Sequence, residues 1–119
     1  MPEFRFPVIG HGGDYNPDQW LDRPDVLEQD VALMREARCN LMSVGIFAWS
    51  ALEPREGEYS FAWLRSVLDR LHAAGVSVLL ATPSGARPAW MSRKYPEVLR
   101  VENGRLETDG TMMMIVHLM

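Results

Sequence analysis

The sequence predicts an α/β fold made of successive parallel strand–helix units. Three observations carry this expectation: two helix exits superimpose, a short apolar strand follows each, and both helical stretches present one apolar face. The overlay sets Leu71-His72-Ala73-Ala74-Gly75-Val76-Ser77-Val78 on Met34-Arg35-Glu36-Ala37-Arg38-Cys39-Asn40-Leu41, with large apolar, small and strand-starting positions coinciding. The unit thus repeats after about 37 residues, which suits a parallel barrel or a doubly wound sheet.

Taken in order, Val8 and Ile9 open an apolar segment that ends in Gly10, His11, Gly12 and Gly13, and this reads as a first strand running into a loop. Asp22 is the expected N-cap of the first helix. Pro24 sits in the first turn, where a missing N–H costs nothing, and Asp25 and Glu28 suit the positive end of the dipole. Leu27, Val31 and Met34 form its apolar face at i, i+4 and i+7, and the helix should stop near Arg38. Because Arg38 stands where Gly75 closes the other helix, the first helix lacks an easy left-handed residue at its exit.

Residues 40–46 form the second strand. After a loop over 53–58, Ser60 is expected to cap a second helix with the face Leu64, Val67, Leu68 and Leu71, ended by Gly75. Residues 77–82 form the third strand, apolar at Val78, Leu79, Leu80 and Ala81, as in a parallel sheet covered on both faces. Three such strands alone leave two open edges. From Pro88 the pattern weakens to a loop or short helix over the strand ends. Residues 111–119 change character again, holding four of the eight methionines and no acidic or basic side chain except His117. An altered reading frame or a truncation is one reading of that stretch, and a buried β-strand is the other.

Composition narrows the partners. With 47% hydrophobic and 24% charged residues and a net charge of -4, the chain has no basic stripe for nucleic acid or an anionic membrane. The single cysteine, Cys39, leaves no internal disulfide and no multi-cysteine zinc site. His11 lacks a second ligand at metal-binding spacing, so it reads as a hydrogen-bonded core or supporting group, and neither metal nor cofactor is expected. No apolar run approaches the roughly 18 residues of a membrane span. Residues 1–10 carry too short an apolar stretch and too early an acid for a signal peptide, so the expected compartment is the cytoplasm. A homo-oligomer is compatible with all of this.

In parallel α/β proteins the loops after the strands' C-terminal ends form the working face. Here the first holds Asp14, Tyr15, Asn16, Gln19 and Trp20, the second Phe47, Trp49, Ser50 and Glu53, and the third Ser84, Arg87 and Trp90. Flat aromatic faces stack on the C–H faces of sugars, while carboxylates, amides and guanidinium groups hydrogen-bond hydroxyls. The mixture suits a carbohydrate pocket; the bland alternative is that Trp20, Trp49 and Trp90 merely cover the barrel end.

Three ordered motifs sharpen the expectation. They are Gly12-Gly13-Asp14-Tyr15-Asn16-Pro17-Asp18-Gln19-Trp20; Asn40-Leu41-Met42-Ser43-Val44-Gly45-Ile46-Phe47-Ala48-Trp49-Ser50 with Leu52-Glu53-Pro54, Gly57, Tyr59 and Phe61; and Ala81-Thr82-Pro83-Ser84-Gly85-Ala86-Arg87-Pro88-Ala89-Trp90-Met91 with Tyr95-Pro96-Glu97-Val98-Leu99. Together they resemble glycoside hydrolase family 42 β-galactosidases over residues 8–101, with Asp18 standing where the family more often has Glu. The resemblance implies an α/β (β/α)8 TIM barrel that hydrolyses terminal β-D-galactosides with retention. A full barrel takes about 250 residues, so 119 residues hold a partial one, its first three βα units. Residues 1–105 are then the N-terminal part of the catalytic barrel and 106–119 a divergent tail.

The implied substrate-binding residues are Asp14, Tyr15, Phe47, Trp49, Glu53, Arg87 and Trp90, with a galactoside as partner of the complete enzyme. Retention needs two carboxyl groups about 5 to 5.5 Å apart. In the family these follow the fourth and seventh strands, the acid/base directly after an asparagine, and this sequence has no Asn-Glu dipeptide. No catalytic residue is therefore assigned. Glu53 precedes a proline in a turn and reads as an anchor of its loop before it reads as a catalytic carboxylate. The family also follows this region with an Arg-His-rich stretch ending in a zinc-binding Cys, which Thr111 and its successors replace if the match ends at Gly110. The expected chain is thus a β-galactosidase type inactive by itself. The alternatives are a non-catalytic remnant, a half-barrel completed by another chain, or another retaining glycosidase of the same barrel clan.

Overall fold

The computed structural model describes residues 9–99, 101–102, 105–106 and 115–118. Three strands, β1 (Gly12–Tyr15), β2 (Leu41–Val44) and β3 (Ser77–Thr82), run parallel in that order. Gly12 is level with Leu41 and Leu41 with Ser77; Tyr15 is level with Val44 and Val44 with Leu80. The crossovers carry helices α1 (Pro24–Glu36) and α3 (Ala62–Ala73), with a one-turn helix α2 (Trp49–Leu52) directly after β2. Beyond β3 come α4 (Ala89–Lys94), the antiparallel pair β4 (Val101–Glu102) and β5 (Arg105–Leu106), and β6 (Ile115–Leu118).

Strand alternation sorts the side chains. Met42 and Val44 are buried with Val31 and Met34 of α1 and Leu64, Val67 and Leu71 of α3, so this sheet face meets the helices. Val31, Val44 and Leu71 are fully buried, each worth roughly 1.5 to 3 kcal/mol relative to exposure. Leu41, Ser43, Gly12 and Asp14 belong to the opposite face, the one a closed barrel would turn inward. Outside, Arg70 of α3 donates both Nε and Nη2 to the Glu28 carboxylate of α1 at 2.8 Å, a two-point tie between the helices.

Both helix exits use the same device, although the first has an arginine where the second has a glycine. In α3 the Gly75 N–H meets the His72 carbonyl and the Val76 N–H the Leu71 carbonyl; in α1 the Arg38 N–H meets Arg35 and the Cys39 N–H meets Met34. These are Schellman closures, and they need a left-handed residue at the turning position. Gly75 supplies it at φ 78°, and Arg38 is forced to φ 56°. The arginine bears a strain of about 1 kcal/mol that glycine avoids.

Several expectations are corrected. The first strand lies over Gly12–Tyr15 and not at the apolar Ile9, which is 90% exposed; Val8 lies outside the described residues. The reason is proximity: a Cβ on Gly12 would sit 1.5 Å from the Leu41 carbonyl oxygen, so only glycine lets β1 approach β2 there. His11 is exposed and not a core residue; its N–H donates to Asn40 Oδ1, while Asn40 Nδ2 donates to the Ile9 carbonyl. Arg23, not Asp22, precedes α1, its guanidinium paired with Asp25. Phe61, not Ser60, precedes α3, and the Ser60 N–H donates to the Leu52 carbonyl.

For the tail, Ile115–Leu118 forms a strand, as one of the two readings held. It pairs with β3 antiparallel, Leu80 opposite His117 and Thr82 opposite Ile115. It therefore does not extend the parallel series as a fourth unit.

Candidate functional site

The β2 exit is pinned by buried Ile46 and Ala48, with Phe47 and Trp49 half-buried between and after them. Trp49 opens α2, and the helical step brings Glu53 beneath it, so that indole Nε1 donates to Glu53 Oε2 at 2.8 Å. The other oxygen, Oε1, accepts the Gly57 N–H at 2.9 Å and closes the turn that the Arg55–Glu58 bridge also marks. Glu53 is 8% exposed, so both carboxylate oxygens are occupied in a mostly dry setting. Its main-chain carbonyl accepts Trp90 Nε1 at 2.9 Å, and Trp63 Nε1 reaches the Ala51 carbonyl at 3.2 Å. Three indole N–H groups thus converge on residues 51–53.

The β3 exit is tied down in parallel. Arg87 Nη1 donates to the Val98 carbonyl, while among the described residues Nη2 is buried without a partner, as is Ser84 Oγ in the same loop. Glu56 receives Tyr95 Oη at 2.7 Å and Lys94 Nζ, joining the end of α4 to the β2 loop a second time. Those two hydrogen bonds hold the exposed Glu56 carboxyl below its ordinary range, Lys94 contributing most.

Asp14 is exposed on the sheet face away from the helices, level with Ser43. Its neighbour Tyr15 is turned by strand alternation into the helix-covered core, 7% exposed, with its hydroxyl donating to Asp30 Oδ2 at 2.8 Å. Burial first, and then Asp30, raise the Tyr15 pKa far above the ordinary phenol. The candidates are therefore not gathered in one place. Asp14 and Tyr15 line a hollow of about 470 Å³ beside α1, while Trp49 and Glu53 line another of about 390 Å³ with Tyr59, Phe61 and Ser84. Asp18, which the sequence marked only as a departure from its motif, has a buried Oδ1 without a partner among the described residues, and burial pushes its carboxyl up against a smaller opposing pull from a backbone N–H. Its place between Pro17 and Trp20 gave a turn but no sign of burial.

Among the described residues no three potential metal-ligating side chains converge, and no helix is long and apolar enough to cross a membrane. A parallel sheet with aromatic and polar loops fixed at the C-terminal ends of its strands defines an α/β protein of the parallel strand–helix type. The chain belongs to the glycoside hydrolase 42 family, whose model, described as β-galactosidase, matches residues 14–118.

Among similar proteins, β-galactosidase GanA of Bacillus subtilis is 64% identical over 97 residues, covering 82% of this chain and 14% of GanA. β-Galactosidase BglY of Alicyclobacillus acidocaldarius is 66% identical over 101 residues, 84% of this chain and 15% of BglY. Of solved structures, the β-galactosidase from Rahnella sp. R3 matches at TM-score 0.84 and 60% identity, over 92% of this chain and 17% of that one. The β-galactosidase from Bacillus circulans sp. alkalophilus matches at TM-score 0.81 and 38% identity, over 91% and 16%. The chain thus spans about a sixth of the length of these relatives.

Proposed function

We propose that this chain is the first three βα units of a barrel that hydrolyses terminal β-D-galactosides with retention, and that its strand-end loops form one wall of the sugar pocket. Residues 1–105 are the barrel part in this reading, 106–119 a divergent tail, and the location is cytoplasmic. The observation that carries it is the joined pair of loops in which Trp49, Glu53 and Trp90 share hydrogen bonds. Held indoles offer apolar faces to sugar C–H groups, and Arg87, tied to the Val98 carbonyl, holds the β3 loop that carries one of them. Phe47 extends the wall, while Asp14 lines the neighbouring hollow beside α1 and Tyr15 braces β1 from the core. The acid/base and nucleophile belong to later strands, so this chain binds and orients and does not itself break the bond.

Grafting tests this directly. The segment matching GanA, put in place of GanA's own, is expected to keep nitrophenyl β-galactosidase activity within about tenfold of the parent in kcat/KM, or roughly 1.4 kcal/mol. A folded graft that has lost activity a thousandfold or about 4 kcal/mol contradicts the proposal. One observation favours a second reading, a non-catalytic remnant: β6 lies antiparallel on the edge of β3 where a parallel series would continue.

A further inference from the structure

We infer that Glu53 is a positioning residue that sets the planes of Trp49 and Trp90 together. This rests on the sugar-pocket reading and deepens it. Three contacts leave from one residue: Oε2 to the Trp49 indole at 2.8 Å, Oε1 to the Gly57 N–H at 2.9 Å, and the carbonyl oxygen to the Trp90 indole at 2.9 Å. Trp49 belongs to the β2 loop and Trp90 to the β3 loop, 37 positions from Glu53, so the residue couples two walls and not merely its own turn.

Both side-chain oxygens face N–H donors, and a carboxylate offers acceptors to both. Glutamine keeps one acceptor and presents an NH2 group to the other donor, so one of the two N–H groups must turn away. An indole held only by packing swings about its side-chain torsions, whereas one held at Nε1 has its ring plane fixed. Both carboxylate oxygens are engaged by protein donors, which separates Glu53 from groups that touch the reacting atoms. The exposed contacts of Glu56 with Lys94 and Tyr95, three residues along the same turn, keep the two loops together from outside.

The test uses the 119-residue chain labelled with 5-fluorotryptophan, diluted until monomeric. Glu53→Gln is expected to shift or broaden the fluorine signals of Trp49 and Trp90 while that of Trp20, on the β1 loop, stays. Unmoved Trp49 and Trp90 signals would overturn the inference. Should Glu53→Gln unfold the chain and move every signal, Trp49→Phe decides instead: the Trp90 signal moves if the indoles are coupled through Glu53 and stays if they are not. In the GanA graft, Glu53→Gln is expected to raise KM about tenfold with kcat within about threefold. An unchanged KM contradicts the role, and a kcat at the uncatalysed rate with unchanged KM makes Glu53 a catalytic residue instead. A graft silent before any substitution counts against the galactosidase reading itself, while the fluorine spectra still decide the coupling.

Discussion

A chain of these 119 residues is expected to leave a nitrophenyl β-galactoside at its uncatalysed rate of hydrolysis. Retaining cleavage needs an acid/base and a nucleophile with carboxyl groups about 5 to 5.5 Å apart, and the sequence has no Asn-Glu dipeptide to supply the acid/base. Glu53 has both oxygens occupied by Trp49 and Gly57. Asp30 is engaged by the Tyr15 hydroxyl. Asp14 lines a different hollow from Glu53. Asp18, whose carboxyl burial pushes up, is a single carboxyl and does not by itself complete the double displacement. The difference at stake is large, since enzymes accelerate reactions by about a millionfold or more. Turnover that survives repurification and disappears in Glu53→Gln would show that Glu53 is catalytic.

The same chain is expected to self-associate, with an apparent mass that rises with concentration, strong hydrophobic-dye binding and a broad melt. The edge of β1 has no described neighbour, although the far edge of β3 is covered by β6, so one of the two edges expected from three parallel strands is closed. Apolar surface adds to the tendency. Tyr59 and Phe61 stack at 5.6 Å between ring centroids yet are 64% and 57% exposed, and Phe61 borders a groove of about 510 Å³ with Leu52, Leu64, Leu80 and Pro83. A contiguous patch of this kind seeks a cover. Sedimentation as a monomer at all concentrations, with a single steep thermal transition, would show that the 119 residues form a self-sufficient domain.

Much of this fold was legible because the repeat is periodic. The third strand lies over the expected 77–82, and the helix faces Leu27, Val31, Met34 and Leu64, Val67, Leu71 pack as their spacing implied. The overlay of Arg38 on Gly75 even located a strained residue. The first strand was misplaced because its signal is not apolarity but a glycine required by the Leu41 carbonyl, and backbone proximity leaves no periodic trace. The caps failed for other reasons: Arg23 pairs locally with Asp25, and the Ser60 N–H meets the Leu52 carbonyl eight residues back.

At the site, residue types were readable and their engagements only partly so. Trp49 and Glu53 are four apart, so their hydrogen bond follows once α2 is helical, whereas the bond from Trp90 to a main-chain carbonyl has no side-chain signature. Tyr15 illustrates the remaining gap. A one-residue uncertainty in where β1 begins decides whether a side chain meets the core or the mouth, since strand neighbours face opposite ways.

The most direct test of the sugar-pocket reading is a crystal structure of the GanA graft with galactose bound. The account predicts galactose at the C-terminal ends of β1, β2 and β3, with the face of Trp49 or Trp90 within about 4.5 Å of the ring carbons. Galactose seated elsewhere, touching none of Asp14, Trp49, Arg87 and Trp90, would contradict it.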